Sequence, residues 1–170
     1  IKVLGVDPAQ EISQISISRG IDAINDFFSK ELAQEIESKN GKCDLITSHN
    51  TCAHIDNLDS VIEGVELLLK EDGVFVMEVG YFVDVFQNKW FDTIYHEHLD
   101  YHTVEPLKSL FDRFDMEIFK VERIEPQGGS IRVMVKKRNS KRSVDNSIST
   151  LVDLEKSLGL DQANTLRKFE

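Results

Sequence analysis

The chain has 170 residues, 41% of them hydrophobic and 29% charged, close to the averages of folded soluble domains and unlike a disordered chain. Thirty acidic against twenty basic residues leave a net charge of −10, a poor match for nucleic-acid backbones or anionic lipid. No apolar run approaches the length of a membrane span, and Cys43 and Cys52 lie in strand-like runs rather than a disulfide framework. With no signal peptide visible, a reducing, cytoplasmic home is expected.

Ile1–Val6 reads as a strand stopped by Asp7-Pro8. The chain opens in this strand pattern without a methionine, as part of a longer protein would. A weak helix follows over Glu11–Arg19, ended by Gly20, and then a short strand over Ile21–Ile24. Ser29 is placed to cap a helix over Lys30–Lys39, which stops at Asn40-Gly41. Cys43–Thr47 is the next strand. Asn57 or Asp59 starts a helix in which Val61, Ile62, Val65, Leu68 and Leu69 recur at helical spacing. Asp72-Gly73 then turns the chain into Val74–Val79, a near-continuous apolar run as in a strand covered on both faces. This alternation predicts an α/β fold with a doubly wound, mostly parallel sheet.

Gly80–Tyr101 interrupts the alternation with an aromatic, histidine-rich connection. Helix returns over Glu105–Phe114, and Met116–Arg123 and Ser130–Lys137 form an antiparallel hairpin at one sheet edge. Lys136, Lys137, Arg138, Lys141 and Arg142 are either a solvated strand end or a diphosphate contact. Ser143–Glu170 is a last helical stretch that ends in mid-pattern. Residues 1–142 are therefore expected to form the main domain, with 143–170 leading to a further one.

A doubly wound sheet binds ligands beyond the carboxyl ends of its strands. Asp7 stands at such an end, either as an acid for a ribose or as a turn former before proline. The glycine-rich loop matching a ribose-binding acid would lie about twenty residues upstream, so the first strand of the sheet is expected to be missing. Three of the five histidines fall within Tyr95-His96-Glu97-His98-Leu99-Asp100-Tyr101-His102. An extended segment would put His96 and His98 on one face, whereas helical spacing would join Tyr95 to His98 and His98 to His102. Proton transfer is the leading reading of these groups, beside a zinc site and a purely structural role. Gly128-Gly129-Ser130 permits close backbone approach to a ligand, or is a plain hairpin turn. No serine sits in a nucleophile elbow, and neither cysteine has a clear activating neighbour.

Several segments, in order, carry a resemblance: Gly5-Val6-Asp7-Pro8-Ala9, Asn25-Asp26-Phe27-Phe28-Ser29, Ser48-His49-Asn50-Thr51-Cys52-Ala53-His54-Ile55 and Asp72-Gly73-Val74-Phe75-Val76-Met77-Glu78-Val79. Phe91-Asp92-Thr93-Ile94-Tyr95-His96-Glu97-His98 and Gly128-Gly129-Ser130-Ile131-Arg132-Val133 complete it. The chain resembles the S-adenosylmethionine-dependent sugar C-methyltransferases, which act on nucleotide-linked 4-keto-deoxysugars. The Tyr-His-Glu-His segment is the most specific part.

The resemblance implies a Rossmann-like class I methyltransferase fold with S-adenosylmethionine as cofactor, no metal, and a nucleotide-diphosphate sugar as substrate. It implies that Asp7 holds the cofactor ribose, that Asp26 and Phe27 contact adenine, and that Asn50 lines the pocket near the methionyl portion. It makes His98 the base at sugar C3, with His54 and Tyr95 hydrogen-bonding the enolate oxygen and Glu97 orienting this group or the sugar. His96, Gly128 and Gly129 are the remaining substrate contacts. Gln127 stands where the family often has a histidine. The family's cysteine-rich zinc-binding region would lie upstream and its second α/β domain downstream. Two alternatives remain: a non-catalytic cofactor- or nucleotide-sugar-binding domain, and a methyltransferase of the same fold with another acceptor. An exposed edge beside a missing strand invites pairing between copies, which leaves a homo-oligomer open.

Overall fold

A computed structural model describes residues 1–167. The chain divides into two compact units, Ile1–Lys42 with Asp59–Leu68, and Cys43–Leu58 with Leu69 onward. In the first, β1 (Leu4–Val6) and β2 (Asp22–Ile24) pair in parallel, Leu4 opposite Asp22 and Val6 opposite Ile24. The right-handed crossover between parallel neighbours needs a helix, supplied by α1 (Gln10–Ser18). Helix α2 (Lys30–Asn40) starts as its sequence dictates: the Ser29 hydroxyl accepts the Leu32 N–H at 3.3 Å, satisfying one orphan donor of the first turn. It ends at Gly41, whose φ of 77° suits glycine. Helix α3 (Leu58–Leu68) lies against α2 at Gly64, where an added Cβ would press on the Ser29 carbonyl at 3.0 Å and the Ala33 methyl at 3.1 Å. Leu32, Ala33 and Ile36 of α2, and Val61, Ile62, Val65 and Leu68 of α3, are buried.

The second unit is a four-stranded sheet of order β3-β4-β6-β5, built from β3 (Cys43–His49), β4 (Leu69–Gly80), β5 (Met116–Ile124) and β6 (Ser130–Lys137). β3 and β4 are parallel, while β6 is antiparallel to both β4 and β5. The predicted edge hairpin is present. Phe75, Met77 and Val79 of β4, Ile131, Val133 and Val135 of β6, and Met116, Ile118 and Val121 of β5 are all buried, the period-two pattern of one covered face. Helices α5 (Val104–Asp112) and α6 (Ser147–Ser157) pack on β5, and Phe111 meets Phe75 edge to face at 6.2 Å.

Two expectations are revised, and the basic run finds partners. Asp72-Gly73 does not precede the strand: β4 starts at Leu69, and the turn survives as a bulge, because 43 to 45 on β3 spans 69 to 74 on β4. The final helical stretch breaks after α6 at Gly159, with φ 70°, and resumes as α7 (Ala163–Arg167). The basic run is occupied at the far end of β6. Lys136 pairs with Glu117 at 3.0 Å, Arg138 with Asp112 at 2.7 Å, and Arg142 donates to the Asp72 carbonyl at 3.0 Å. Among the described residues, no helix is long and apolar enough to cross a membrane.

Candidate active site

The pairing register brings one end of the larger sheet together. Gly80 at the end of β4 faces Ser130 at the start of β6, Ile124 at the end of β5 faces the same Ser130, and His49 at the end of β3 faces Glu78. This is the carboxyl end of the parallel pair, where α/β sheets place ligands. From Gly80 the chain enters Tyr81 and α4 (Phe82–Asn88), stops at left-handed Lys89 (φ 55°), and turns through Phe91–Thr93.

The Tyr95–His98 segment is a turn, the His98 N–H donating to the Tyr95 carbonyl at 3.1 Å. That produces the helical-type juxtaposition: the Tyr95 and His98 rings lie 4.5 Å apart, and the Tyr95 hydroxyl stands 3.5 Å from His98 Nε2. His98 meets Tyr101 at 6.0 Å, whereas His102 is buried and bridges to Tyr81. His54, three residues into the turn after Thr51, brings its ring to 4.9 Å from that of His98.

Both imidazoles have a fixed tautomer. His98 Nδ1 lies 2.7 Å from the Thr93 carbonyl and His54 Nδ1 lies 2.7 Å from the Glu97 carbonyl. A carbonyl can only accept, so each Nδ1 carries the proton and each neutral ring keeps a lone pair on Nε2. Glu97 thus orients His54 through its backbone oxygen. The Leu99 N–H on the Ala53 carbonyl, at 2.9 Å, ties the two segments together. An open hollow of about 340 Å³ beside the cluster is lined by His54, His96, Glu97 and Leu99.

Asn50 closes β3 in a left-handed conformation (φ 51°), its N–H on the Glu78 carbonyl at 2.8 Å. Its side-chain oxygen is buried without a partner, an orphan acceptor of the kind that a bound donor satisfies. Gly128 and Gly129 are filled from within the chain: a Cβ at Gly128 would strike the Trp90 ring, and one at Gly129 the Asp84 carboxylate. Their φ values of 84° and 146° follow Gln127 at 55°, so the turn itself requires glycine. Glu78, 7% exposed, accepts from Arg132 at 2.9 Å and lies 3.4 Å from His49 Nδ1. The Arg132 guanidinium foremost holds its carboxyl below the ordinary value, against the opposing effect of burial.

In the smaller unit, Asp7 and Asp26 stand just beyond the paired ends Val6 and Ile24. Asp7 Oδ1 accepts the Ala9 N–H at 2.7 Å, so it forms the turn before α1 whatever else it holds. Asp26 Oδ1 accepts the Phe27 N–H at 2.8 Å, and the Phe27 ring is 74% exposed. Asn25 fastens the two ends, donating to the Asp7 and Pro8 carbonyls at 3.1 and 2.8 Å.

Sequence reasoning missed Asn25, Thr93, Asp84 and Arg123, the last two an ion pair beside Gly129. Thr93 acts through its carbonyl, which carries no residue signal. The Asp84–Arg123 pair spans two elements, and only the register of β5 brings it together. Among the described residues, no group of three His, Cys, Asp or Glu side chains is arranged to hold a metal.

A strand–helix alternation, strand ends where α/β sheets place ligands, and a histidine–tyrosine cluster at one of them point to the class. The chain belongs to the methyltransferase-domain family, whose model matches residues 1–121. It is 33% identical over 168 residues to the C-methyltransferase NovU of Streptomyces niveus, an overlap covering 99% of this chain and 40% of that protein. The chain therefore spans about two-fifths of the length of that relative. A SAM-dependent methyltransferase from Anabaena variabilis superposes with a TM-score of 0.62 at 18% identity, over 81% of this chain and 68% of that one. The magnesium protoporphyrin IX methyltransferase of Synechocystis, solved with bound SAH, gives 0.56 at 11% identity over 79% and 63%. These likenesses establish the methyltransferase fold.

Proposed function

We propose that this chain carries the reaction site of an S-adenosylmethionine-dependent sugar C-methyltransferase, which methylates C3, beside the ketone of a nucleotide-linked 4-keto-deoxysugar. The observation that carries this reading is the locked tautomer of His98, with Nδ1–H on the Thr93 carbonyl and the lone pair of Nε2 accepting only a long hydrogen bond, 3.5 Å, from the Tyr95 hydroxyl. The identity to a protein named as a C-methyltransferase supports carbon as the methyl acceptor.

The chain's residues fit the cofactor at named points. The orphan Asn50 oxygen suits the amino group of the methionyl portion, the exposed Phe27 ring suits an adenine face, and the Asp7 and Asp26 carboxylates stand at adjacent strand ends as ribose and adenine acceptors. When bound, the cofactor supplies an electrophilic methyl group. His98 Nε2 takes the C3 proton, the electron pair of that C–H bond moves toward the C4 oxygen, and the Tyr95 O–H, released from Nε2 as that atom is protonated, turns to donate to the growing negative charge. The electrons return through C3 to form the new C–C bond to that methyl group, and the pair of the broken methyl–sulfur bond would remain on sulfur, leaving a neutral thioether. His54, with its proton on Nδ1, donates from Nε2 to that oxygen only as an imidazolium, so the neutral donor is Tyr95. His96 and Glu97 line the hollow where the sugar would sit, and Gly128 and Gly129 shape the neighbouring turn by admitting Trp90 and Asp84.

The test is an incubation of the full-length enzyme with methyl-labelled S-adenosylmethionine and a nucleotide-linked 4-keto-6-deoxysugar. Label on a carbon adjacent to the ketone supports the reading. Label on oxygen or nitrogen, or cofactor binding without transfer, overturns it in favour of another acceptor or a non-catalytic binding domain.

A further inference from the structure

One buried carboxylate takes no part in the proton-transfer cluster. Glu155 lies on α6, only 4% exposed. A buried charge is tolerated only where its hydrogen bonds are met, and those of Glu155 are. Oε1 accepts from the Tyr81 hydroxyl at 2.9 Å and from the Val104 N–H at 2.7 Å, and Oε2 accepts from the Glu105 N–H at 3.3 Å. Val104 and Glu105 open α5, whose own N-cap residue, Thr103, makes no side-chain cap. Glu155 therefore caps α5 from a neighbouring helix, satisfying orphan donors and facing the positive end of the dipole.

The other partner fixes where this matters. Tyr81 is fully buried and immediately follows β4. Its N–H donates to the Gly129 carbonyl at 3.1 Å, and the next N–H, of Phe82, donates to the His102 carbonyl at 3.0 Å. The segment holding Tyr95, His96, Glu97 and His98 thus leaves the sheet at Tyr81 and ends at Val104, the start of α5, with both points on one carboxylate. Packing alone would be served by an apolar side chain at position 155; a carboxylate there ties the two feet of the segment together.

We propose that Glu155 is a positioning residue of the methyl-transfer site, joining Tyr81 to the start of α5 so that His98 and Tyr95 meet the substrate in one geometry. This rests on the reading of that cluster as the proton-transfer site. Glu155 touches no reacting atom; it acts through the feet of the segment.

The test compares full-length wild type with Glu155→Gln, Glu155→Ala and Tyr81→Phe, measuring kcat, KM for the nucleotide-linked sugar, calorimetric affinity for S-adenosylhomocysteine, and Tm. Gln keeps an oxygen for Tyr81 and Val104 and loses only the acceptor for Glu105. Displacement of catalytic groups by about an ångström costs on the order of 10²-fold, so kcat should fall by about 10- to 100-fold in Glu155→Ala. Glu155→Gln should recover most of that loss and Tyr81→Phe should lie between, all with unchanged cofactor affinity. If Ala does not fold, the Gln and Phe variants carry the comparison. A wild-type kcat beside a lowered Tm overturns the proposal, as does a loss of cofactor affinity parallel to the loss of kcat. A wild type that transfers no methyl group overturns the reading of the site instead.

Discussion

His98 and His54 are each held by a backbone carbonyl, and that contact decides which nitrogen keeps its lone pair. With Nδ1 protonated on the Thr93 carbonyl, His98 presents a lone pair from Nε2 toward Tyr95. The i, i+3 spacing of Tyr95 and His98 was legible in the sequence, because a turn or helix brings such a pair together. The tautomer was not, because it depends on carbonyls of Thr93 and Glu97 that any residue could supply. On the proposed enolate route, Tyr95 would carry the neutral hydrogen bond to the developing charge. Tyr95→Phe should lower kcat by about 10²-fold, the usual cost of losing one oxyanion donor, with S-adenosylhomocysteine affinity retained by calorimetry. An unaltered kcat would place the oxyanion elsewhere.

At the level of elements, the sheet register creates features that no local pattern contains. His49, Glu78, Arg132 and Glu122 stand in consecutive register across β3, β4, β6 and β5, with Arg132 bonded to Glu78 at 2.9 Å and 3.9 Å from Glu122. In sequence they are separated by between 10 and 44 residues, and nothing local aligns them. Glu78 is held below its ordinary carboxylate value by Arg132, then by His49, against burial. Its stabilising contribution is therefore complete above its unfolded value, about 4.3, and is lost as pH falls through its depressed folded value. Glu78→Gln should be less stable than wild type at pH 7, with the gap in denaturant midpoint closing in acid below about pH 4. A gap independent of pH would mean that the carboxylate charge contributes nothing. The Asp72-Gly73 turn shows the opposite lesson: its chemistry was legible, but its role as a bulge inside β4 appeared only from the pairing with β3.

Across the whole molecule, the alternation of strands and helices and the antiparallel hairpin were legible because burial on one or both faces imposes periods of 2 and 3.6. The division into two units was not, since the boundary at Lys42–Cys43 carries no linker composition and α3 returns to the first unit. The core of the larger unit rests on rings at the contact between α5 and β4, where Phe111 is fully buried against Phe75. Phe111→Ala should destabilise this unit by about 3–5 kcal/mol, read as a lower urea midpoint in the fluorescence of Trp90, the single tryptophan. A midpoint within about 1 kcal/mol of wild type would show that the α5 packing is not central.

Deuterium exchange at sugar C3 tests the enolate route most directly. The full-length enzyme, held with S-adenosylhomocysteine and a nucleotide-linked 4-keto sugar in deuterated water, cannot transfer a methyl group but can still remove the proton. With His98 as the base, wild type should exchange that hydrogen, and His98→Gln should do so about 10²–10⁴-fold more slowly while binding S-adenosylhomocysteine equally well. Equal exchange in the two proteins, or none in wild type, would contradict it.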